Sequence, residues 1–141
     1  MGIESKIQSV HLLTNIFGHF PSFHDAEVKS ITLTRGHKGK VAPELEALIH
    51  AFEMTSKVDN TDKYELTNHS LVHFRFLEID RLDLAGFNHQ NVLQSLKIDY
   101  VDNDKDGMPK FEIEFVGIFG VDAKFFCKAI KIESVEPFNP E

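Results

Sequence analysis

The chain has a single cysteine, Cys127, no tryptophan and only five prolines in 141 residues. A lone cysteine excludes an internal disulfide framework and a zinc site built from several thiolates. No apolar run approaches the roughly 18 residues that a membrane-crossing helix needs, and no basic start with an apolar core follows Met1. Neither a membrane span nor a secretory signal is therefore expected. The 15 Lys and Arg fall short of the 22 Asp and Glu, leaving a formal charge of −7. Phosphate backbones are bound through clustered cations, so this balance disfavours nucleic acid and suits a basic partner. Nucleophile elbows, glycine-rich phosphate loops and dinucleotide fingerprints are missing too. The expectation is a cytoplasmic, non-enzymatic protein without cofactor, nucleic-acid ligand or membrane partner.

What is present is material for a core. Apolar residues make up 42% and charged residues 26%, and a chain of this length closes a core without disulfides or metal. Thirteen Phe against two Tyr read as interior packing, since Phe is buried more often than displayed. One domain over residues 1–141 is the simplest organisation.

Ile3, Ile7, Val10, Leu13, Ile16 and Phe17 recur at three- and four-residue steps. This is the stripe of a helix of about four turns, which Gly18 closes. The period then changes to two. Ile31 and Leu33 begin the alternation, and Val72, Phe74 and Phe76 continue it. Leu96, Ile98 and Tyr100 follow, then Phe111, Ile113 and Phe115. Val121 to Val135 reads as one last long strand between Gly120 and Pro137. Leu45 to Met54 is apolar on both parities, which suits a strand covered on both faces or a short helix after Pro43. The extended continuation Phe52-Glu53-Met54-Thr55 favours the strand. His37 to Lys40, Ser56 to Lys63 and Asp102 to Pro109 read as turns or loops, and Asn88 as the cap of a short helical turn through Leu93. A helix followed by about six mostly sequential strands is an α+β pattern, with the N-terminal helix packed on a mainly antiparallel sheet.

Asp102-Asn103-Asp104-Lys105-Asp106-Gly107 matches the first six positions of a calcium loop of the EF-hand type. The twelfth position, which needs a bidentate Glu, is Ile113, and the flanks read as strands. Asp102, Asp104 and Asp106 are thus weak metal candidates beside the plainer reading of a hairpin turn. The eight His include no His-x-x-x-His ligand pair on a helix and no His-Glu-x-x-His. Cys127 shares a parity with Phe125 and Ala129, which makes its thiol a small buried hydrophobe.

Gly18 to Val28 is dense in turn formers and aromatics where the period changes. Adjacent side chains on an extended chain point to opposite faces, so His24 and Asp25 are not expected to pair. Asp25 is expected to cap the turn after Ser22, while His24 bonds a backbone carbonyl. A role in partner contact is the other reading.

The run Gly18-His19-Phe20-Pro21-Ser22-Phe23-His24-Asp25-Ala26-Glu27-Val28 resembles the opening motif of the immunity protein 50 family of bacterial polymorphic-toxin systems. Phe20 stands where many relatives carry Trp. Ile49-His50-Ala51-Phe52-Glu53, Leu71 to Phe76 and Phe87 to Leu93 are similar to weaker blocks of the family. The resemblance implies an antidote that binds and neutralises a cognate toxin domain encoded beside it. His24, Asp25 and Glu27 are then candidate contacts. Glu112 and Glu114, on the polar parity of a strand, are candidates for meeting a basic toxin groove. The alternative class is a metal- or small-ligand-binding domain with hydrolase activity. His24, Asp25 and the carboxylates at 102–106 would then have to converge in one pocket.

Overall fold

A computed structural model describes residues 3–36, 42–58, 64–103 and 109–139. Eight strands form one antiparallel sheet: β1 (Glu27–Thr34), β2 (Glu44–Val58), β3 (Tyr64–Leu77), β4 (Asp80–Ala85), β5 (Val92–Asn103), β6 (Pro109–Phe119), β7 (Asp122–Cys127) and β8 (Ala129–Pro137). Their order is β4-β7-β6-β5-β1-β2-β3-β8. The class is α+β-like as expected, but the sheet has eight strands where the periodicity suggested about six. Two readings account for much of the difference. Asp80–Ala85 forms a strand of its own, β4, and the single strand expected over Val121 to Val135 is broken at Lys128 into β7 and β8. Leu45 to Met54 is strand, as favoured. Ser56 to Val58 continue β2, while residues 37–41 and 59–63 lie outside the described residues.

The sheet is two four-stranded leaves, β1-β2-β3-β8 and β4-β7-β6-β5, which touch along a thin seam. Across that seam β1 and β5 share one residue pair, Glu27 with Val92. At the other end, β3 runs into β4 across Glu78 and Ile79, level with the break at Lys128. Leu77 faces Ala129 and Asp80 faces Phe126, so the paired ribbon turns the corner as a unit. Positive φ at Glu78 (55°) and Arg81 (56°) makes the bend, and the Lys128 N–H donates to the Leu77 carbonyl at 2.9 Å.

The folded-over sheet encloses the core. Of the period-two residues, Val72, Phe74, Phe76, Leu96, Phe111, Ile113, Phe115, Phe125 and Cys127 are buried, Ile31, Ile98 and Tyr100 are only partly buried, and Leu33 is exposed. Phe76 of the first leaf meets Phe125 and Phe115 of the second, with ring centroids 5.2 and 6.1 Å apart. Such ring pairs add about 1 kcal/mol each beyond the area they bury. Burial pushes the Cys127 thiol up to about 12, which keeps it protonated.

The N-terminal helix is shorter than its apolar stripe. A 3-10 turn, Ile3–Lys6, precedes α1, His11–Phe17. Between them Gln8 bonds to β8 as an extra edge partner, donating to the Ile130 carbonyl and accepting from the Ile132 N–H, both at 2.9 Å. Ser9 then turns the chain with φ 60°. Capture by an open sheet edge outweighs helix propensity here. Leu13 and Phe17 remain inward, and α1 packs against β8 and β3.

Candidate functional site

The Gly18 to Val28 stretch forms the corner that closes the seam. Gly18 takes the left-handed conformation (φ 79°) and its N–H bonds the Thr14 carbonyl, ending α1 as expected. Phe23 drives inward against Phe20 and Phe74, with ring centroids at 5.7 and 5.5 Å. Burying that ring forces φ 64° at Phe23 and φ 67° at Asp25. The backbone then reaches the second leaf. The Asp25 N–H donates to the Leu93 carbonyl, Leu93 N–H to the Ala26 carbonyl, and Val28 N–H to the Asn91 carbonyl, each at 2.8 Å.

This geometry overturns the expected placement of His24 and Asp25. The chain is not extended at Asp25, so the two side chains turn together, and His24 Nδ1 lies 3.2 Å from Asp25 Oδ2. Ser22, not Asp25, caps the turn: its Oγ accepts the His24 N–H at 3.2 Å. His24 is exposed and Asp25 partly so. Glu27 sits opposite His50 on β2, with its carboxylate 3.5 Å from Lys29 Nζ. Beside the corner lies an open cavity of about 300 Å³, lined by His19, Ser22 and His24 together with Phe52, Glu53 and Met54 of β2. Glu53 Oε1 is already engaged there by Asn68 Nδ2 at 2.9 Å.

The carboxylate run lies elsewhere. Asp102 is on β5, nine residues beyond Leu93, which is roughly 30 Å along an extended chain. Asp104 and Asp106 lie outside the described residues. The strands leading into and out of this segment form a hairpin, with Asn103 opposite Pro109, not the helix pair of a calcium hand. The convergence of His24 and Asp25 with Asp102 that a hydrolase pocket required does not occur. Among the described residues, no three His, Cys, Asp or Glu are grouped closely enough to hold a metal.

Glu112 and Glu114 are on the outer face of β6. Glu112 is bound to Lys124 of β7 at 3.2 Å. Glu114 faces Lys97 and Lys124 in register and helps line a depression of about 270 Å³ with Asp83, Asp122 and Lys124. The short helix expected from Asn88 to Leu93 is absent. Asn88 Oδ1 accepts from Gln90 N–H at 2.8 Å, which closes a tight side-chain turn, and the buried Asn91 Oδ1 accepts from Asn88 N–H at 2.9 Å.

Sequence reasoning missed two side-chain clusters. On the first leaf, Arg75 holds Glu44 through two bonds of 2.9 and 3.0 Å and reaches Glu133 at 3.2 Å. These bonds raise the Arg75 pKa and hold the Glu133 carboxyl below its ordinary value. His73 Nε2 meets Glu46 Oε1 at 2.7 Å. Nearer the seam, His50 Nε2 and His69 Nδ1 are 2.9 Å apart, under the ring of Phe138 at 4.6 Å. Desolvation, then the His69 charge, lowers the His50 pKa. The available signal was parity: Glu44, Glu46, His73 and Arg75 all fall between inward-facing residues.

Comparison with known proteins adds a family. A model of the family described as immunity protein 50 matches residues 10–138, so the chain belongs to that family. No curated protein and no solved structure matches it.

Proposed function

We propose that this member of an immunity-protein family neutralises a cognate bacterial toxin by stoichiometric binding in the cytoplasm of the cell that makes both. The family match over residues 10–138 carries the reading. The surface supports it physically: carboxylates outnumber cations on the second leaf, which favours a basic partner and speeds its approach. His24, Asp25 and Glu27 at the corner, and Glu112 and Glu114 on β6, are the candidate contacts. His24 and Asp25 already satisfy each other in part, and Glu112 is tied to Lys124, so Glu114 is the readiest to meet a new cation.

Coexpression with the toxin domain encoded beside this chain tests the proposal. Restored growth together with a 1:1 complex on size-exclusion chromatography is the expected result. Unrelieved toxicity with no complex overturns it.

A further inference from the structure

The outer face of β4, β7, β6 and β5 carries several charges that form no ion pair among the described residues. Aligned in register across the four strands are Asp83, Lys124, Glu114 and Lys97. Asp99 stands opposite Glu112, and Asp122 opposite Ala85. Among the described residues, Glu112–Lys124 and the longer Arg81–Asp80 contact at 4.0 Å are the ion pairs recorded on these strands. Setting those aside, the described side chains leave four carboxylates (Asp83, Asp99, Glu114 and Asp122) against one ammonium, Lys97. Asp122 accepts a hydrogen bond from the Gly117 N–H at 3.0 Å and is exposed to solvent.

One end of this face is apolar and rigid. Phe87, Ile118 and Phe119 are 45%, 44% and 55% exposed. They flank two glycines that touch: a Cβ on Gly86 would lie 2.4 Å from the Gly120 carbonyl oxygen, and both glycines have φ 75°. Beneath them the Asn91 amide is buried, its Nδ2 donating to the Asn88 carbonyl at 2.7 Å. Large apolar side chains on backbone held this firmly lose little conformational entropy on binding, and aromatic anchors ringed by polar groups dominate interface energetics.

The geometry points to this composite surface as the docking site for the toxin domain, whose matching surface carries Lys or Arg beside an apolar pocket. The cationic side chain enters the depression between Asp83, Glu114 and Asp122, and Phe119 is the apolar anchor. A second copy of this chain does not suit the surface, because a two-fold contact would bring the same surplus of carboxylates against itself. The assignment rests on the immunity reading and adds to it the face and the chemistry of the partner.

The test is titration of the neighbouring toxin domain, catalytically inactivated, into the wild-type chain and three variants whose melting curves are checked first. Phe119→Asp is expected to weaken binding about thirtyfold or more, the scale of a lost anchor. Glu114→Lys is expected to slow association about tenfold at low salt and to flatten its salt dependence. Leu33→Asp, an exposed apolar position on the first leaf, is expected to stay within about threefold of wild type. If wild type binds and the two second-leaf variants bind equally well, the docking surface is wrong while the immunity reading stands. Equal loss in Leu33→Asp also overturns the surface. A wild-type homodimer that Phe119→Asp dissociates makes a second copy the occupant and overturns it as well. If the wild type itself shows neither binding nor rescue, both fall together.

Discussion

The two leaves share a core but treat their charges in opposite ways. On the outer face of β1-β2-β3-β8, Arg75 is saturated by Glu44 and Glu133, Lys131 lies 3.6 Å from Glu133, and Glu46 is bound to His73. On the outer face of β4-β7-β6-β5, Glu112 has Lys124, while Glu114 and Asp83 make no ion pair with the described residues. Cross-strand opposite charges stabilise a sheet by a fraction of a kcal/mol per pair. On the second leaf opposite charges face each other in register at Asp83, Lys124, Glu114 and Lys97 without closing to ion pairs there, and Asp99 faces Glu112. The contrast sets a closely paired face beside a sparsely paired one on one continuous sheet.

Several substitutions would break or sharpen that contrast. Phe76→Ala strikes what the leaves have in common. It removes a fully buried ring that touches Phe74, Phe115 and Phe125, and should cost about 3–5 kcal/mol in chemical denaturation. Near- and far-ultraviolet dichroism should then report one shared transition; two separate transitions would mean that the leaves unfold independently. Asn91→Ala strips the buried support from the second-leaf loops and should cost about 2 kcal/mol. Arg75→Ala opens the paired network of the first leaf at a half-exposed position and should cost about 1 kcal/mol.

A fourth prediction concerns pH and belongs to the first leaf alone. Burial, then His69, lowers the His50 pKa, with Lys29 acting in the same direction and Glu27 against it. The unfolded chain therefore takes up this proton at a higher pH than the folded one. The contribution to stability is complete above 6.5 and is lost as pH falls beneath that value. The melting temperature should drop between pH 7 and pH 5, and His50→Phe should flatten the drop. An unchanged slope would remove His50 from the account. The smallest effect is expected at Glu114→Gln, within about 0.5 kcal/mol of wild type, since Glu114 makes no ion pair among the described residues.

Alternation made the inner face legible, because burial on one side of a strand imposes a period of two that no helix mimics. Val72, Phe74 and Phe76, and Phe111, Ile113 and Phe115, were readable for that reason, as was the end of α1 at Gly18. The features that escaped were set by non-local partners. Ser9, Phe23, Asp25, Glu78 and Arg81 hold positive φ without being glycine, each where tertiary contacts impose the bend. The β4 strand and the break at Lys128 depend on the same corner, which has no composition signal. Of the candidate contacts, the wet parity of Glu112 and Glu114 was readable on the strand. The pairing of His24 with Asp25 was not, since it follows from a backbone conformation and not from spacing.

The thin seam also bears on the order in which the molecule assembles. Residues 25 and 93 lie 68 positions apart, and the bonds between Asp25, Ala26 and Leu93 join segments that no local hairpin brings together. The β2–β3 and β5–β6 hairpins close over far shorter loops and are expected to form first for that reason. Contacts made after the rate-limiting step govern unfolding more than folding. The stretch that resembles the family's opening motif is therefore expected to close late: substitutions in it should speed unfolding more than they slow folding, which chevron kinetics would check.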